Sequence, residues 1–448
     1  METKIRPSNW AKEIGIGLIL FTVILIPFIN KLESNPFHPD ESHWIHTVKY
    51  FKLFFIDRDF HNDQWMEYFA YDQPPVGRYI IGLALVIPGY GKNLEKSSKM
   101  SVWDFSKDYS WNESHGALPP KDVLYVARLP MAILGALTCF LMYWVAKPIF
   151  SRRAGIIAAL LLAYNPLMLR CSQRAMPDAA LIFFLAANVV LTTYFYSSLV
   201  EQKLHRTLVF AAFIGITIAL AAGTKLNGGI AGIIFAVFCT VLILIKITPY
   251  GFPGNNLKDV IGRLRTDREV KIILGSLIIS GLIAALVFTA LNPYLYHRPL
   301  KGSVKMVQHR MSVVKEQQQT YSAITTVRQK IELVVRRTLI DKNYVTLGYF
   351  LKIPLDMGLF LLGLALLFYT EAKYLFCNHK LSSKSIVIAW ISITFVGTTA
   401  WIPLDWNRYY LPVLPCVAMM AGYGTDRILN KCWRLANRKR NFEVRQSQ

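Results

Sequence analysis

The chain has 448 residues, 53% of them hydrophobic and 17% charged, against about a quarter charged in soluble globular chains. Apolar runs near twenty residues recur along nearly its whole length, which excludes a large soluble domain. The net charge of +22, from 50 Lys and Arg against 28 Asp and Glu, is spread over the loops between those runs. Attraction to anionic lipid explains it, and no basic module for nucleic acid emerges.

The first run, 13–30, has no small-residue cleavage site behind it and reads as a retained helix rather than a signal peptide. Beyond it comes Pro36-Phe37-His38-Pro39-Asp40-Glu41-Ser42-His43-Trp44. Two adjacent carboxylates at a membrane exit are costly unless they face water, a cation or a substrate. A plain structural reading makes Asp40 a helix N-cap behind Pro39, which leaves Glu41 unexplained. Trp44, Ile45, Val48, Phe51, Phe54 and Phe55 follow at three-and-four spacing with His46, Lys49 and Lys52 between them, as in an amphipathic helix on a membrane surface. In Tyr71-Asp72-Gln73-Pro74-Pro75-Val76-Gly77-Arg78 the diproline ends any preceding helix. Arg78 then enters the next segment at headgroup depth, where a snorkelling role is the plain alternative. That segment, 76–88, is short for ~30 Å of hydrocarbon.

Further runs span roughly 123–146, 154–170, 177–199, 207–223, 228–246, 272–292, 345–370, 385–403 and 409–426. If 76–88 does not cross, the short basic segments 1–12, 147–153, 200–206, 247–271, 371–384 and the tail 427–448 all fall on one side, as the positive-inside rule asks. Both termini are then cytoplasmic. The polar motifs collect on the opposite face: Asp40-Glu41, Asp72 to Arg78, Arg174 to Asp178, Lys225 to Asn227, Asn292 to Arg298 and Asp405 to Arg408. Arg174 and Asp178 stand one helical turn apart and are expected to pair if they do not bind substrate. Lys225, in a Gly-rich hairpin between apolar runs, needs an anionic partner.

The six cysteines form no CxxC pair, and neither long loop, 31–122 or 293–343, contains one, so no zinc site of that kind is expected. His38, His43, His46 and His61 fit no familiar metal spacing. Asn112-Glu113-Ser114 is an N-glycosylation sequon in the first loop.

The Asp-Glu pair and the Asp-x-Pro-Pro-hydrophobic-x-basic motif resemble the GT-C glycosyltransferases. The chain is similar to the dolichyl-phosphate-mannose–protein O-mannosyltransferases and the lipid A aminoarabinose transferases. Ala127-Arg128-Leu129-Pro130, Phe150-Ser151-Arg152-Arg153-Ala154-Gly155, Ser172-Gln173-Arg174-Ala175-Met176-Pro177-Asp178, Gly223-Thr224-Lys225, Asn292-Pro293-Tyr294-Leu295-Tyr296 and Arg408-Tyr409-Tyr410-Leu411-Pro412 extend the likeness from about residue 10 to 425. Departures are Gln73 and Arg78, where the family often has His and Lys, and the missing soluble domain in 293–343.

The resemblance implies an all-α polytopic membrane protein with ten or eleven transmembrane helices and interfacial helices in the first external loop. Residues 1–426 would form the catalytic membrane domain. It implies inverting transfer of a mannose-like sugar from a polyprenyl-phosphate donor to a hydroxyl of a protein, lipid or glycan, on the non-cytoplasmic face. Asp40 would be the base and Glu41 would orient the sugar or a cation, the pair raising one another's pKa. Arg78, Lys225, Arg298, Arg174 and Arg408 would hold the donor phosphate, and Asp72, Asp178 and Tyr296 would contact substrate. Membrane lipids are expected partners and nucleic acid is not. No metal ligand is assigned, and a divalent metal cofactor stays open. A bacterial plasma membrane is favoured over the endoplasmic reticulum. Competing readings are a polyprenyl-lipid flippase or transporter, and a non-catalytic subunit of the same fold.

Overall fold

A computed structural model describes residues 10–30, 32–87, 91–248 and 266–446. Helix is the only regular structure among them. Seven described helices are long and apolar enough to cross a membrane, or up to eight if one bent pair forms a single span. This is the fold of an integral multi-pass membrane protein. Lys4, Arg6, Lys258, Arg263 and Arg265, which contributed to the side assignment, lie outside the described residues.

The difference from ten spans has physical causes. Glu13–Ile29 forms a shorter apolar helix. The run 409–426 opens as a 3-10 segment, Asn407–Val413, before the helix Leu414–Gln446, which carries on through the expected tail. The run 154–170 is two helices, Arg152–Ala163 and Pro166–Ser172, bent by 62°. Asn165 makes that break: its Oδ1 accepts from the N–H groups of Leu167 and Met168, both at 3.1 Å, and Pro166 begins the new helix where no N–H is needed. In the run 345–370, Thr346–Leu351 ends at Lys352 in a left-handed conformation (φ 58°), and the long helix begins at Leu355. Val76–Leu85 is a ten-residue helix.

Lys121–Ile149 stands at the centre, packed by Trp10–Ile29, Arg152–Ala163 and Asp178–Val200. Small residues permit that closeness: a Cβ on Gly135 would lie 2.5 Å from Ser172. Arg268–Ala290 lies at the rim, with only 17% of its apolar window buried.

The first loop corrects one expectation. Pro39–His46, Lys49–Phe51 and a π-helical turn Lys52–Ile56 do form. Trp44, Ile45, Val48, Tyr50, Phe51 and Leu53, however, are buried in a protein core with Tyr79, Ile81 and Leu85. Their apolar face is covered by Val76–Leu85, with only Phe55 and Ile56 at its end left exposed; a Cβ on Gly82 would collide with Phe51. The sequon asparagine is likewise internal. Asn112 is fully buried, its Nδ2 donates to the carbonyls of Asp104 and Asp108, both at 2.9 Å, and its Oδ1 accepts from the Asp104 N–H at 2.8 Å.

Candidate active site

Where the first loop, the loop 173–177, the hairpin at Lys225, the helix Pro299–Thr320 and the segment 401–412 meet, a cavity of about 860 Å³ opens. Asp40, Asp72, Arg78, Arg174, Asp178, Lys225 and Arg408 all line it. Residues up to 374 positions apart in sequence, His38 and Pro412, thus converge, as the clustering of polar motifs on one face suggested.

Asp40 stands in the first turn of Pro39–His46, but His38 is the N-cap. The His38 imidazole Nδ1 accepts the Asp40 N–H at 3.2 Å, and Glu41 Oε2 accepts the His38 N–H at 2.9 Å. The Asp40 carboxylate is therefore free of capping duty and turns to the cavity, where Arg408 Nη1 donates to its Oδ2. Burial works to raise its pKa, yet the charge and hydrogen bond of Arg408, with help from His38 and His43, hold it down to about 2. Burial lowers the pKa of His38 and of His43.

Glu41 does not face the cavity. Fully buried, it takes a bidentate pair from Arg128 Nε and Nη2, both at 2.8 Å, and the Ala175 N–H at 2.8 Å. Arg128 also donates to the carbonyls of Leu32 at 2.9 Å and Asn35 at 2.8 Å. Glu41 and Arg128 form a post joining the first loop, the central helix and the loop before Asp178, so of the two expected roles, orienting the sugar or a cation, the geometry matches the second. The expected rise in the Asp40 pKa is not found, because Arg408 holds it down. Arg128 was visible in the Ala127-Arg128-Leu129-Pro130 motif, but nothing local revealed its partner.

Arg78 is buried rather than snorkelling. Its Nε donates to Thr47 Oγ1 at 3.0 Å, its Nη1 to the Gln73 carbonyl at 2.8 Å, and its guanidinium lies over the rings of Trp44 and Tyr50, 5.1 and 5.4 Å from their centroids. Gly77 lets this helix approach, since a Cβ there would sit 2.7 Å from Pro177. Arg174 and Asp178 do not pair with each other. Asp178 Oδ1 accepts from Lys225 Nζ at 2.6 Å, which supplies the anionic partner that Lys225 required. Among the described residues, neither Arg78 nor Arg174 meets a carboxylate within ion-pair distance, and Arg174 Nε has no hydrogen-bond partner. That surplus of positive charge suits an anion.

Arg298 and Tyr296 do not reach the cavity. Arg298 is exposed just before Pro299–Thr320, and the Tyr296 hydroxyl donates to the Ala290 carbonyl at 2.7 Å. The cation this loop does supply is Arg310, absent from the sequence expectation. It faces Asp72 at 3.6 Å, and Gln73, with its amide oxygen turned inward, accepts from Arg310 Nη1 and Nε at 3.2 and 3.3 Å. The available signal was the helical periodicity of 299–320, which puts Arg310 on one face with Met306 and Gln317. The segment carrying Arg408 is braced in turn: Arg337 Nη2 donates to Asp405 Oδ2 at 2.7 Å and the Tyr410 hydroxyl to Asp405 Oδ1 at 2.6 Å. Among the described residues, no three His, Cys, Asp or Glu side chains are grouped to hold a metal ion.

The family model for dolichyl-phosphate-mannose-protein mannosyltransferase matches residues 65–291. The archaeal oligosaccharyltransferase AglB from Archaeoglobus fulgidus, solved with an inhibitory peptide and a dolichol-phosphate, is similar over 96% of this chain and 52% of its own, at 17% identity and a TM-score of 0.53. ArnT from Cupriavidus metallidurans, solved in the apo state, is similar over 94% of this chain and 62% of its own, at 15% identity and a TM-score of 0.51. The chain therefore spans between half and two thirds of those proteins, and at such identity the likeness is one of fold. No curated protein matches the chain closely enough to count as a relative.

Proposed function

Because this chain belongs to the dolichyl-phosphate-mannose-protein mannosyltransferase family, we propose that it transfers a sugar from a polyprenyl-phosphate donor to an acceptor hydroxyl. The observation that carries the reading is Asp40 facing the same cavity as Arg78, Arg174, Lys225, Arg310 and Arg408. The acceptor oxygen forms its bond to the anomeric carbon from the side opposite the phosphate, so the configuration inverts. The carbon–oxygen bond to phosphate breaks, and polyprenyl phosphate leaves with the electron pair. The acceptor proton passes to Asp40. Phosphate is already a good leaving group and needs no protonating acid, unlike the paired carboxylates of glycoside hydrolysis.

A carboxylate at a pKa of about 2 is a weak base towards a resting alcohol. The alcohol becomes strongly acidic only as its oxygen bonds to carbon, so Asp40 accepts the proton late. Arg408 serves both ends of the reaction, because donor phosphate competes with Asp40 for it and thereby loosens its hold on the carboxylate. Arg174, Arg78 and Lys225 complete a preorganised positive seat, the kind of contribution that is often the largest in catalysis. The finer identity of donor and acceptor, mannose and a protein hydroxyl, follows the family; a non-cytoplasmic site follows the charge of the short loops, and a bacterial membrane follows the lack of a soluble domain in 293–343.

Purified protein in vesicles, given a radiolabelled polyprenyl-phosphate mannose and candidate acceptors, tests the reading. Sugar on the acceptor supports it. Donor movement across the bilayer without transfer would make the protein a flippase, and neither activity with intact donor binding would make it a non-catalytic subunit.

A further inference from the structure

The helix Pro299–Thr320 has two faces with different fates. Gly302, Met306, Arg310, Val313 and Gln317 turn inward, against Leu295 or into the cavity. On the opposite face Leu300, Val304, Val307 and Met311 follow i, i+4, i+7, i+11 spacing and are 83, 55, 45 and 50% exposed. Four unpartnered apolar side chains in one stripe are unusual on a water-facing surface.

Both ends of this helix are tied to membrane exits. Its start follows Arg268–Ala290 through the short turn Pro293–Leu295, where Asn292 Nδ2 donates to Met306 Sδ at 3.7 Å. Just beyond its far end, the Ile324 N–H donates to the Pro403 carbonyl at 3.0 Å, two residues past the helix Lys384–Trp401. A rod of ~33 Å strung between two span ends lies along the membrane plane, not across it. The span that feeds it is the least buried of the described long apolar helices, at 17%, so the stripe continues an apolar rim that the protein leaves uncovered. Arg298, Lys301 and Lys315 are exposed beside the stripe, and Glu316 is the only acidic residue from 298 to 320. That balance suits anionic headgroups.

We infer that Pro299–Thr320 docks its apolar stripe into the headgroup region of an anionic membrane, so that the lipid surface holds the helix wall carrying Arg310 against the cavity. This assigns Arg298 to the lipid surface, in place of the donor-phosphate role its sequence neighbourhood suggested. The docking does not depend on which reaction the cavity performs.

The test uses full-length protein with the exposed Cys377 and Cys432 changed to Ser, leaving only buried cysteines. Val304→Cys, on the stripe, and Ser312→Cys, off it, carry an environment-sensitive fluorophore in vesicles of phosphatidylcholine alone or with about one third phosphatidylglycerol. The inference expects a blue-shifted label at 304 that shallow brominated lipids quench at least about twofold more than the label at 312, with the larger effect in anionic vesicles. Lys301→Glu with Lys315→Glu should abolish the anionic increment. Equal, water-like emission at both positions would overturn the inference. So would burial of position 304 that appears only on raising protein concentration, which would mean a second copy, or only on adding acceptor peptide.

Discussion

At the residue scale, Asp40 is placed under two opposing influences, burial and the guanidinium of Arg408, and the cation wins. Its folded pKa of about 2 lies below the usual carboxylate value near ~3.9. The Asp40–Arg408 pair therefore adds stability above about pH 4 that fades as pH falls towards 2. The pH profile of kcat/KM should show no acid limb from Asp40 above about pH 4. Arg408→Gln removes the strongest influence opposing burial and leaves only His38 and His43 against it, so an acid limb should appear above that point; a profile of unchanged shape would contradict the assignment. Glu41 and Arg128 carry a different prediction. Breaking a fully buried ion pair costs about 3–5 kcal/mol, so Arg128→Ala should lower the thermal midpoint in detergent markedly. A shift of under a degree would show that the post is not structural. Asp40 was legible because two carboxylates at a membrane exit demand an explanation. The roles within the pair were not legible, because side-chain direction depends on Arg128, 87 residues on, and no local pattern encodes that meeting.

At the scale of elements, hydropathy located the apolar runs and missed their breaks. Asn165-Pro166 is a capping signal inside a continuous apolar run, and the cap decided the backbone there. The first-loop helix was read as amphipathic from its spacing, correctly for periodicity and wrongly for its partner, since a lipid surface and Val76–Leu85 both accept an apolar face. Gly77 is where such packing reaches the site. Gly77→Val would press on Pro177, next to Asp178; overpacking of this kind costs about 1–3 kcal/mol. The expected outcome is a raised donor KM together with reduced stability, read from initial rates and thermal melts. Wild-type values of both would mean that the two elements give way freely. Arg310 was missed because its helix sits within a stretch treated as a loop, and a charged residue in a polar segment has no local reason to stand out.

At the scale of the whole molecule, the polar groups that composition makes expensive in a membrane chain are gathered around one cavity, where they balance one another. Asp40 with Arg408, Asp178 with Lys225 and Asp72 with Arg310 offset in pairs, while Arg78 and Arg174 leave positive charge to spare. The most direct measurement is single-turnover transfer of radiolabelled sugar from polyprenyl phosphate by wild-type protein and Asp40→Asn, with donor binding followed in the same vesicles. The account predicts that Asp40→Asn binds donor at least as well as wild type, because Arg408 is released, and transfers about 10²–10⁴-fold more slowly. Transfer by Asp40→Asn at the wild-type rate would contradict it.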